Sequence, residues 1–147
     1  IYALNKICYA IGAMLAGIFV SKLFRSRSSV YTIIYLMSIA LLAFVGLIFN
    51  SNVYLLFFFA LGLGISNAGI RIMRITYLFN HIPNNIIGRT NSVFQSINIL
   101  LRSILIAVFS LAFFNSDGNV IYSFLIAAIA IAISLIPLLV HYKKLNQ

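Results

Sequence analysis

The chain is 147 residues long, 63% hydrophobic and 7% charged, with a mean hydropathy of +1.12, whereas soluble globular domains carry about 25% charged residues. Ten Lys and Arg stand against one acid, Asp117, for a formal charge of +9. A water-soluble fold is excluded, and so is a nucleic-acid-binding domain, because the basic residues sit between long apolar runs. The composition is that of an integral membrane protein.

A helix needs about 20 mostly apolar residues to cross about 30 Å of hydrocarbon. Five segments qualify: 2–24, 30–49, 53–79, 90–114 and 120–140. The runs are too long for an outer-membrane barrel and do not alternate with period two, so the expected fold is all-α, a polytopic helical bundle in a bilayer. The first span starts almost at Ile1, where no initiator Met stands, and leads into a basic loop and four more spans. It reads as a membrane helix, not a signal peptide, in a chain expected to be a piece of something longer. Its lone Cys8 has no partner for a disulfide or metal spacing and reads as a packing residue. Lys6 lies about 24 Å from Lys22 along the helix, near the outer boundary, where it can snorkel. Gly12, Ala13, Ala16 and Gly17 form two offset small-x-x-x-small pairs, a helix-packing surface.

The second span contains no charge, Asn or Gln and is expected to face lipid on most sides. In the third, Gly64, Asn67, Arg71 and Arg74 fall at steps of three, four and three, on one face. Arg74 is about 9 Å from the inner end and reads as an anchor, while Arg71, about 14 Å away, is a candidate for either anchoring or function. Gly62, Gly64 and Gly69 allow a bend or a neighbour's close approach. The fourth span carries the sharpest pattern: Asn91, Gln95, Asn98 and Arg102 at steps of four, three and four. Arg102 falls about 20 Å from either end, at mid-bilayer, where an Arg costs about 2.5–3.5 kcal/mol on insertion scales. It is either a hydrogen-bonded strut between helices or part of a solute pathway. The fifth span is again free of charge, Asn and Gln, and Pro137 near its end is expected to kink it.

Lys and Arg alternate between the loops. Lys22, Arg25 and Arg27 mark the first, Arg74 and Arg89 flank the third, and Lys143 and Lys144 follow the last span, whereas the second and fourth loops carry none. By the positive-inside rule the C-terminus is cytoplasmic and Ile1 outside, in an inner cell membrane; Lys22, Arg25, Arg27 and Arg89 are the cytoplasmic loop anchors. His81 and His141 sit in or near these loops, too far apart in depth for haem ligation. No span contains an acid, so no carboxylate pair or relay can form, and no enzyme activity, metal site or cofactor is expected. Counter-charges for the in-membrane arginines must come from outside the chain or from an anionic solute.

The stretch from Gly17 to Arg25 resembles the degenerate G-x-x-x-D-R/K-x-G-R/K-R/K motif that follows the eighth span of major facilitator superfamily transporters. Gly17, Lys22 and Arg25 match, while Ser21 replaces the acid and Phe24 the glycine. The stretch Pro83 to Ser92 is similar to that family's loop between the tenth and eleventh spans. The resemblance covers essentially the whole chain and implies spans eight to twelve, an incomplete half of a twelve-span fold built from three-span repeats. It further implies that the ninth and twelfth spans, here the two apolar ones, are peripheral and that the others border a central cavity. The expected function is secondary transport of a small solute, anionic or amphiphilic, by alternating access. Candidate cavity residues are Arg102, Asn98, Gln95, Asn91, Arg71 and Asn67, and the expected partners are the bilayer, the solute and the remaining N-terminal spans. The alternative is a structural membrane subunit of a larger complex, with Arg102 paired to a partner's carboxylate.

Overall fold

The computed structural model describes residues 2–23, 28–49, 52–111 and 119–142. Among the described residues five helices form: α1 (Tyr2–Leu23), α2 (Ser29–Phe49), α3 (Val53–His81), α4 (Ile87–Phe109) and α5 (Val120–Val140). All are long and apolar enough to cross a membrane, as required where no water is present to satisfy backbone groups. The chain is therefore an all-α, multi-pass membrane protein.

The helix ends have local causes. Asn52 caps α3, its side chain accepting from the backbone N–H of Tyr54 at 3.0 Å. The other end of α3 runs two residues past the expected boundary, through His81, and stops at Ile82, which is extended (φ −112°, ψ 130°). A residue that precedes proline is driven out of the helical region, so Pro83 sets this boundary. After the Pro83 turn the chain re-enters helix at Ile87, three residues earlier than expected, with Ile86 N–H bonded to Pro83 O at 3.1 Å. The far end of α4 is Phe109, where a span to residue 114 is expected; residues 112–118, including Asp117, lie outside the described part. Pro137 lies within the last turn of α5, which continues to Val140.

The packing is uneven. The helices α1 and α2 both lie against α3, and α5 lies against α2, giving the lateral order α1–α3–α2–α5; α4 meets α3 only slightly. Inside a bilayer the hydrophobic effect does not draw helices together, so close packing must. At the α1–α3 crossing a Cβ on Gly12 would stand 2.3 Å from Leu61 O, and one on Gly64 would stand 2.2 Å from Tyr9 O. Two glycines thus let the backbones touch, and Ala16 beside them is fully buried. The α2–α3 contact uses side chains instead: the Phe59 ring lies in the space over Gly46, and Leu36 over Gly69. Ala16, Val20, Leu36 and Met73 form the core where α1, α2 and α3 meet. Between α2 and α5, Phe44 and Phe124 pack at 6.4 Å and Tyr31 and Tyr142 meet edge-on at 6.5 Å. Gly17 and Gly62 face open space, so only part of each small-residue stripe is an interface.

Candidate functional site

The four packed helices line an open cavity of about 390 Å³. Tyr9 comes from α1, Met37, Ala40 and Phe44 from α2, Leu63, Asn67 and Ile70 from α3, and Ile131 from α5. Every contributing helix except α1 offers its middle. Asn67 is fourteen residues from either end of α3, Met37 to Phe44 straddle the centre of α2, and Ile131 is next to the central residue of α5. The cavity is therefore at the midplane depth of the helix array.

Its wall is apolar except at one place. Asn67 Nδ2 donates a hydrogen bond to the Tyr9 hydroxyl, across the α1–α3 seam. The glycine crossing makes this pairing possible: Gly64 lies one turn from Asn67 on the same face and brings α1 close enough for Tyr9 to reach it. Of the polar stripe of α3, Gly64 and Asn67 thus meet α1, although Asn67 remains exposed. Further along the same stripe, Arg71 is exposed and Arg74 is half-buried, its Nε buried without a hydrogen-bond partner among the described residues. Among the described residues Ser66 Oγ, fully buried, and Asn5 Oδ1 likewise have no partner. Arg71 does not line the cavity but stands one turn, about 6 Å along the helix, from Asn67.

The α4 stripe is elsewhere. Asn91 borders a smaller pocket of about 130 Å³ at the α3–α4 corner, with Ile75, Leu78, Phe79, Ile87 and Gly88. Asn91, Gln95, Asn98 and Arg102 are all exposed, and no residue of α4 is buried. Arg102 lies seven residues before the end of α4, about 10 Å. Among the described residues the structure does not bring the α4 stripe together with Asn67 and Arg71. It does place α2 and α5, expected at the periphery, on the cavity wall, because α2 is wedged between α3 and α5.

The anchors sit at helix ends. Lys22 is exposed in the last turn of α1, and Arg89 is exposed at the start of α4. Arg25 and Arg27 lie outside the described residues, as do Lys143 and Lys144. Lys6 rests over the Tyr2 ring at 4.5 Å from its centroid, an exposed cation–π pair at the opposite end of α1 from Lys22. His81 stacks on Tyr77 and its Nδ1 bonds Tyr77 O at 3.0 Å, while His141 Nδ1 bonds Pro137 O at 3.1 Å. Both imidazoles are thus engaged with the backbone of their own helix ends.

Sequence reasoning missed Tyr9, Met37, Phe44 and Ile131. Tyr9 carried a signal, since a phenol well inside an apolar span needs a partner, and Asn67 was the available one. The three apolar residues carried none, because a cavity wall and a lipid-facing surface draw on the same side chains.

No known protein family matches the chain, and neither a curated protein nor a solved structure does. The functional reading accordingly rests on the residues and the geometry above.

Proposed function

We propose that this chain is the C-terminal, five-span part of a secondary transporter resembling the major facilitator superfamily, and that it moves a small solute across a cytoplasmic membrane by alternating access. The observation that carries the reading is the midplane cavity with a single polar pair in its wall, since carriers of this kind hold solute near the bilayer midplane between repeats. The two loop resemblances at the basic ends of α1 and α4 support it. In this reading Asn67 is a hydrogen-bonding wall residue. Arg71, Arg102, Gln95, Asn98 and Asn91 contribute charge and hydrogen bonds toward the remaining spans and the solute's approach. Rocking of the two halves about the cavity would alternate its access, with Lys22, Arg25, Arg27 and Arg89 holding the cytoplasmic ends.

The test is to obstruct the cavity with bulk at one of its wall residues. Met37→Trp, introduced into the intact protein and reconstituted in vesicles, is expected to lower solute counterflow at least tenfold with membrane abundance near normal. Unchanged counterflow would sink the reading.

One observation favours a second reading. The uncovered length of α4, with Arg102 unpaired among the described residues, also suits a structural subunit whose partner supplies a carboxylate at that depth. Cross-linking of α4 to a separate polypeptide in native membranes would favour it.

A further inference from the structure

The α3 wall of the cavity continues into charge. Leu63, Asn67 and Ile70 line it, and Arg74 follows on the same face, at steps of four, three and four. Arg71 is four residues from Asn67 and three from Arg74, so the three side chains are neighbours on one helix surface. Side chains of a helix lean toward its N-terminus, which for both arginines is the direction of Asn67. Arg74 is half-buried, and its buried Nε has no partner among the described residues. Arg71 stands about 14 Å from the inner end of the span, within the hydrocarbon. No span contains an acid, so the chain offers neither guanidinium a counter-charge inside the membrane, where an unneutralised cation is costly.

Hydrogen bonding at Tyr9–Asn67 does not select a ligand by itself. Asn67 spends one amide proton on the Tyr9 oxygen, which leaves its second N–H, its Oδ1 and the Tyr9 O–H, a set that suits an alcohol or an oxyanion. Charge selects. An oxyanion at the arginine end accepts from Arg71, Arg74 and Asn67 and supplies the missing negative charge, whereas an alcohol leaves both cations unpaired. On the facing helices Met37, Phe44 and Ile131 offer an apolar body dispersion contacts only. The volume of about 390 Å³ falls within the roughly 300–1,000 Å³ of small-molecule pockets. We infer that this cavity takes an anionic amphiphile, its oxyanion head among Asn67, Arg71 and Arg74 and its apolar body along Met37, Phe44 and Ile131. The inference deepens the transport reading by naming the class of solute, and rests on that reading for the solute's passage though not for its binding.

The test uses the intact protein in nanodiscs of neutral lipid and two photoreactive probes of equal chain length, decanol and decanesulfonate. Each carries a diazirine at the chain end, and they are compared at equal concentration in the bilayer. Saturable labelling of peptides containing Phe44 or Ile131 is expected, about tenfold stronger with the sulfonate, the scale of one charge-assisted hydrogen bond. The double variant Arg71→Gln, Arg74→Gln should lose that preference while keeping its labelling by decanol, which reports an intact cavity. If the double variant labels with neither probe, Arg71→Gln alone must lower the preference at least about threefold. Arg89→Gln, which removes a loop cation, should leave the preference unchanged. Equal labelling by the two probes, labelling that does not saturate, or a preference that survives loss of the arginines would each overturn the inference. Displacement of the sulfonate by phosphatidylglycerol added to the nanodisc would keep the site and give it to a bilayer lipid, while indifference to that lipid would give it to a solute. Saturable sulfonate labelling that Met37→Trp abolishes, with counterflow intact, would keep the site and remove the transport reading.

Discussion

The α1–α3 crossing and the length of α4 answer the same problem in opposite ways. Both helices of the crossing carry polar groups into the membrane, and α4 carries more. At the crossing, Gly12 and Gly64 bring backbones into contact, so Asn67 finds Tyr9 across the seam. Along α4 small residues also recur, at Gly88, Ser92 and Ser96, but no helix packs on them, no residue is buried, and the stripe from Asn91 to Arg102 is left open. Polar residues in lipid thus need a packing surface to deliver them to partners. Where a second helix packs closely a polar pair forms, and where none does the polar stripe stays exposed.

The comparison can be broken most directly through Arg102. Arg102→Gln in the intact protein is expected to abolish transport, a loss of more than tenfold, with membrane abundance near normal. Parallel loss of abundance would make α4's stripe a strut. Next in size are the two crossing glycines. Gly12→Ala and Gly64→Ala each drive a methyl into a backbone oxygen that cannot move aside, and each should destabilise the protein in detergent by about 1–3 kcal/mol. Cysteine cross-linking between positions 9 and 67 should fall with them. At Gly46 the obstacle is the Phe59 ring, a side chain with some freedom, so Gly46→Ala is expected to cost less, under about 1 kcal/mol. Gly62 meets open space, and Gly62→Ala should be neutral or stabilise by up to about 1 kcal/mol through helix propensity alone. A loss at Gly62 as large as that at Gly64 would show that the crossing is not what the glycines serve.

Much of the fold was legible in the sequence because lipid leaves a chain few options. Five apolar runs of sufficient length had to be helices, and the five helices fall where the runs lie. Boundaries moved where local chemistry outweighed hydropathy. Asn80 and His81 read as loop because they are polar, yet the helix continues until Pro83 forbids it, and Ile87 to Arg89 read as loop although Gly88 alone does not stop a helix. Helix partners were far less legible. Val30, Thr32, Leu36, Ala40 and Ala43 are the buried residues of α2, but in an uncharged span they are indistinguishable from residues facing lipid, which is why α2 reads as peripheral and turns out to be wedged between two neighbours. Of the site, Asn67 could be found, since an amide at mid-span draws attention to itself. The α4 stripe was equally visible as a pattern, but a pattern on one helix does not say what it faces.

The central place of α3 has a consequence for how the protein is made. Its neighbours α1 and α2 precede it in the chain but pack on it, not extensively on each other. While the ribosome is still extending α3, these two helices have left the insertion machinery with their mating surfaces, Gly12 and Ala16 on one and Leu36 and Ala40 on the other, open to lipid or to chaperones. Assembly therefore waits for the third helix and completes in one step when Gly64 and Gly69 arrive together. A nascent chain halted after Phe49 should lack the core of Ala16, Val20, Leu36 and Met73, whereas one released after His81 should already hold it.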